Sequence, residues 1–188
     1  MTIAEGKALY LKYLGEIGEG ADPDGSYALK YGAYIDPAVR FLSASRPIFK
    51  TVTVNSEDAA VGAEINGMIP IAAPSDSDRV VSVESGLQPI PWTLHNGGIA
   101  VDSQVTFPLT IRYSKRPDVI GADTADSTEF ELDIDVQGLI PLLCAAWASA
   151  NDDPDLSNRL QAQFNNTASV ILNTCPSPGN TPQTIYTM

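Results

Sequence analysis

The sequence predicts an α+β protein. A four-helix body carries a small antiparallel β subdomain inserted between helices 2 and 3, and the chain ends in an extended C-terminal tail. Three observations support this. Residues 129–172 hold two helical patterns separated only by Asn151-Asp152-Asp153-Pro154. Residues 48–116 switch to short alternating runs punctuated by Gly and Pro, the pattern of strands and turns. Residues 173–188 are rich in Pro, Thr, Ser and Asn and lack any periodicity. The body is therefore assigned to 1–47 and 117–173, the inserted β subdomain with a long loop to 48–116, and an extended C-terminal arm to 174–188.

Thr2-Ile3-Ala4-Glu5 opens the first helix as a capping box: the threonine side chain serves a free amide of the first turn and the glutamate reaches back. Ala4, Leu9, Tyr10, Tyr13, Leu14 and Ile17 form its apolar face, and Gly15, Gly18 and Gly20 end it. Asp22-Pro23-Asp24-Gly25 reads as a turn. A second helix spans about Tyr27 to Ser45. Asp36-Pro37 interrupts its pattern and suggests a later start, because proline fits best in a first turn. Arg46-Pro47 stops it.

In the β region, Ile48 to Val54 alternates as a half-buried strand does. The following stretch to Ser77 reads as a long loop, and loops of that length usually serve a function or a partner. Arg79 to Glu84, Ile99 to Val101 and Leu109 to Tyr113 read as strands. Gln88 to Pro91 is extended, and Asn96-Gly97-Gly98 is a hairpin turn signal. Gly121 to Ser127 is a polar linker. The third helix opens with Asp133 and Asp135, has Pro141 in its early turns and is apolar through Trp147. The fourth is capped by Asp153 before Pro154, with Leu156, Leu160, Phe164, Thr167 and Ile171 on one face. The pair is an antiparallel hairpin, which predicts Trp147 and Phe164 buried on its facing stripes.

That hairpin, "LIPLLCAAWASA" followed by "DDPDLSNRLQAQF", resembles the C-terminal half of the head-to-tail connector (adaptor) proteins of tailed bacteriophages. "YIDPAVRFLSASRPIF" is similar to the second helix of that family, and "RVVSVESG", "PWTLHNGGIAV" and "LTIRYSKRPDVI" resemble its β insertion. The resemblance rests on the order of several patterns across residues 1–173. It implies a structural, non-enzymatic ring subunit under the portal, on the order of a dozen identical copies with head-to-tail interfaces. The implied partners are identical subunits, the portal protein and the next tail or neck protein, with duplex DNA passing through without tight binding. The implied location is the neck of the virion, after assembly in the host cytoplasm. Tyr10, Tyr13, Tyr31 and Tyr34 are candidates for the subunit interface, because tyrosine buries much area and keeps a polar end; each is equally a candidate for the monomer core. The C-terminal Gln183-Thr184-Ile185-Tyr186-Thr187-Met188 is β-prone. Its Gln183, Ile185, Tyr186 and Met188 are candidate contacts to the portal or a neighbouring subunit by strand addition. Two readings of other kinds stand beside this one: a virion decoration or tail-tube component, and an enzyme with an unrecognised site.

Composition narrows these readings. A net charge of −12 opposes binding to nucleic-acid phosphates, and in a ring it gives DNA a lumen to which it does not stick. Of the two cysteines, Cys144 reads as a small core residue and Cys175 lies in the tail. No disulfide framework is indicated, and a reducing compartment fits. No signal peptide and no apolar run long enough to span a bilayer are visible. His95 is the only histidine and precedes a turn, so it reads as a turn residue rather than a catalyst or metal ligand. Asp76, Asp78, Asp123, Asp126, Asp133 and Asp135 lack the spacing of a calcium loop and read as solvated acids. No cofactor is expected.

Overall fold

A computed structural model describes residues 1–15, 25–59, 66–121 and 123–174. The protein is a mixed α+β chain that divides into two compact units, residues 1–47 with 117 onward, and residues 48–116. The first unit holds α1 (Ile3–Tyr13), α2 (Ser26–Ser45), α3 (Ile134–Gln137), α4 (Leu139–Ser149) and α5 (Pro154–Thr174). In chain order all seven strands follow α2 and precede α3.

The centre of the helical unit is α4. Ten of its eleven residues are buried, all but Trp147, as expected of a helix that is apolar all round. It packs against α1, α2 and α5, and its small residues Cys144, Ala145, Ala146 and Ala148 are all buried. The helix expected to open at Asp133 is two helices, α3 and α4. Pro141 has no N–H to donate to the Gln137 carbonyl, so the first helix stops there and a new one starts at Leu139 with the proline in its first turn. Asp153 caps α5: its carboxylate accepts from the Leu156 amide at 2.9 Å. The Ser157 hydroxyl then donates to the Ala146 carbonyl at 2.7 Å, tying the first turn of α5 to α4. The buried face of α5 is Leu160, Phe164 and Ala168, whereas Thr167 is exposed.

Thr2 and Glu5 form the capping box of α1, whose buried stripe is Ile3, Gly6 and Tyr10, with Ala4 exposed. A Cβ on Gly6 would stand 2.5 Å from the Tyr31 hydroxyl and 3.2 Å from the Phe130 ring, so only glycine lets α1 lie this close. Gln137 is a buried hub: its amide donates to the Phe130 carbonyl at 3.0 Å and the Leu132 carbonyl at 2.7 Å, and its oxygen accepts from the Met1 amino group at 2.6 Å. Helix α2 does not restart at Asp36-Pro37 but runs through it. Ala33 and Pro37 both lie on the exposed face, so the carbonyl that loses its donor is left to solvent.

The second unit is two antiparallel sheets, where a single small one was expected. The strands are β1 (Ile48–Val54), β2 (Met68–Ile71), β3 (Ser77–Ser85), β4 (Gln88–Pro89), β5 (Trp92–His95), β6 (Gly98–Asp102) and β7 (Leu109–Lys115). Their orders are β1-β7-β3-β4 and β2-β6-β5. The expected loop between β1 and β3 contains strand β2. Pro70 masks it in the sequence, yet β2 is an edge strand, where proline costs no ladder bond on its open side. Asn96 and Gly97, both with positive φ (43° and 79°), make the β5–β6 turn that their dipeptide signals. Val54, Ile69, Ile71, Val83, Ile99, Val101, Leu109 and Ile111 form the core of this unit.

Candidate interaction surface

The four tyrosines proposed from the sequence divide into two pairs. Tyr10 (0% exposed) and Tyr31 (3%) belong to the core of the helical unit, with ring centroids 5.0 Å apart, and are not surface contacts. The correction has a local cause. Gly6 lets Tyr31 slide against α1, so both rings face inward. The Tyr31 hydroxyl has no hydrogen-bond partner among the described residues. Burial pushes its pKa well above the ordinary tyrosine value, and Cys144 and Tyr10 push the same way. Cys144 is fully buried and its thiol is likewise pushed up by burial. Tyr13 and Tyr34 remain half-buried. Tyr34 meets Trp147 edge-on at 6.1 Å and Phe41 meets it edge-on at 6.2 Å; Trp147, expected to be buried, is half-buried, beside Phe41, which is itself exposed.

The more conspicuous surface was not anticipated. One face of α2 carries Tyr31, Ile35, Ala38, Val39 and Leu42 into the core. A second apolar stripe at four-residue spacing, Leu29, Ala33, Pro37 and Phe41, is exposed, with Leu29 at 76% and Phe41 at 53%. The sequence signal was present: α2 has more apolar positions than one buried face needs. Beside Leu29 lies a groove of about 580 Å³ between α2, the start of α1 and the residues Ile120, Gly121, Thr124 and Asp126. Its walls include Ile3, Leu29, Gly32, Ile35 and Ile120, with Lys7 and Asp126 as its charged residues. The Ile120 amide donates to the Asp36 carboxylate at 3.1 Å, which fixes the far wall to α2. Lys30 pairs with Asp152, joining the start of α2 to the α4–α5 turn, and that bond raises the lysine pKa.

His95 is half-buried in the β5–β6 hairpin, with Asn96 Nδ2 3.2 Å from its Nε2. Among the described residues no three His, Cys, Asp or Glu side chains are grouped to hold a metal ion. Gln183, Ile185, Tyr186 and Met188 lie outside the described residues, as does Cys175. Among the described residues no helix is long and apolar enough to cross a membrane. Comparison with protein-family models gave no matching family, and comparison with curated protein sequences gave no match.

Proposed function

We propose that this chain is a structural subunit of a tailed-phage neck ring, an adaptor that joins the portal to the tail and forms part of the DNA channel. The observation that carries the reading is the α4–α5 hairpin with its Asp152-Asp153-Pro154-Asp155 break. It is set in a helical unit whose chain leaves after α2 to build an antiparallel β unit and then returns. That order and those residues are what resemble the connector family. On this reading the body counts four helices, with the short α3 leading into the third and the β unit lying between the second and third in chain order.

A cyclic ring needs two different faces on each subunit, one to offer and one to receive. The exposed apolar stripe of α2 supplies one such face beyond what the monomer core uses. The chain has 23 acidic against 11 basic residues, which suits a channel wall that must not hold DNA. Its role in this reading is architectural and non-enzymatic. The partners are about a dozen identical subunits, the portal and the next neck or tail protein, and the C-terminal Gln183, Ile185, Tyr186 and Met188 contact the portal or a neighbour.

Imaging of particles made with and without this chain tests the reading. The expected result is a ring at the single portal vertex that is lost, together with the tail, when the chain is absent. Copies spread over the shell or along the tail instead would establish a decoration or tube role and overturn it.

A further inference from the structure

We propose that the β3–β4 hairpin of one copy plugs the α1–α2 groove of the next, with Leu87 as the plug and Glu84 set against Lys7. This rests on the reading that the chain assembles with copies of itself, and it names the contact by which it does so.

The plug stands out within its own unit. Ser85 pairs with Gln88, so Gly86 and Leu87 form the whole turn, with Gly86 at φ 63°. Turn tips favour Gly, Asn, Asp and Ser, yet Leu87 is 92% exposed, the most exposed large apolar side chain among the described residues. The hairpin that presents it is held firmly: Ser85 Oγ donates to the Thr106 carbonyl at 2.6 Å, and the Ile90 amide donates to the Val83 carbonyl at 2.9 Å.

The receptacle is the groove of about 580 Å³ described above, large enough for the leucine and the turn that carries it. Charge selects the partner. In a protein of net charge −12, the Glu84 carboxylate meets repulsion over most of another copy's surface. The groove is one of the places where it does not, because Lys7 stands on its wall. Neither Lys7 nor Glu84 has an ion-pair partner among the described residues. Asp126 also lines the groove, so the hairpin enters with Glu84 on the Lys7 side. Plug and receptacle are different surfaces, so each copy can offer one and receive the other, as a head-to-tail ring requires.

The test is a charge swap in the full chain, read by sedimentation velocity at micromolar concentration. Lys7→Glu and Glu84→Lys should each weaken self-association by about tenfold or more, and the double variant should restore it to within about threefold. Leu87→Asp, at a solvent-exposed position, should leave the circular dichroism spectrum unchanged and abolish assembly. Leu87→Cys mixed with Leu29→Cys should give a disulfide between chains. Single charge variants that assemble normally, or a double variant no better than the singles, overturn the proposal. So does a cross-link from Leu29→Cys to a different virion protein. Rings at the portal vertex in particles carrying Leu87→Asp would sink this contact and leave the neck reading standing. Wild-type chain that neither self-associates nor appears at the vertex would sink both.

Discussion

Phe164 is the residue on which the helical hairpin depends most visibly. It is 4% exposed on the inner face of α5, and its ring lies 6.2 Å from that of Phe41, tilted by 55°. Phe41 meets Trp147 edge-on at 6.2 Å, and Trp147 meets Tyr34 at 6.1 Å, so four rings in series link α5, α2 and α4. Phe164→Ala removes the buried end of that series and leaves a cavity that α4 and α2, already fixed to each other, do not close. The expected cost is about 3–5 kcal/mol. Trp147→Ala, at a half-buried position, should cost roughly half as much by lost area. Phe41→Ala combined with Phe164→Ala should fall short of additivity by about 0.5–1.5 kcal/mol, the share of the ring pair. The assay is urea denaturation followed by tryptophan fluorescence. It is well suited because the two tryptophans report on different units, Trp147 on the helical unit and Trp92 on the β unit. The Trp147 transition should move to lower urea in Phe164→Ala, with a thermal midpoint lower by roughly 10–20 °C. A loss below about 1 kcal/mol would refute the packing argument.

Two further outcomes follow from buried polar groups. Gln137→Leu keeps the volume but strands the Phe130 and Leu132 carbonyls and the Met1 amino group; a loss of about 2–4 kcal/mol by denaturant titration is expected, and a neutral result would mean water replaces the side chain. At high pH, Tyr31 and Cys144 keep their protons in the folded state beyond the ordinary values of 10.0 and 9.0. The unfolded chain therefore binds fewer protons there, and stability, intact below about pH 9, should fall as pH rises above it. Tyr31→Phe should reduce that slope in a pH series of melting curves, with little loss at neutral pH because the hydroxyl has no partner.

What was legible in the sequence was local. Thr2 and Glu5, Asp153 with Pro154, and Asn96 with Gly97 each carry their own geometry within four residues, and each appears in the structure as read. Prolines misled in two ways: tertiary position lets Pro37 stand on an exposed helix face and Pro70 at a sheet edge, while Pro141, through its missing N–H, split a helix expected to be continuous. The fate of Tyr31 turned on Gly6, twenty-five residues earlier, and no periodicity announces that contact. The groove was illegible for the same reason. Its walls, on α1, α2 and the segment holding Ile120, Gly121, Thr124 and Asp126, meet only after folding, and most of its residues are ordinary apolar ones or glycines.

Ile48 pairs with Lys115, the first residue of β1 with the last of β7. The chain therefore enters and leaves the β unit at two points about one strand spacing apart, roughly 5 Å. Both flanks are moored to the helical unit: Arg46 donates to the Ile171 carbonyl at 3.2 Å, and the Asp118 amide donates to the Glu131 carboxylate at 3.1 Å. A docking port with paired ends and fixed flanks is what genetic exchange requires. Residues 48–116 thus have the end geometry of a cassette: both of their junctions with the helical unit lie side by side.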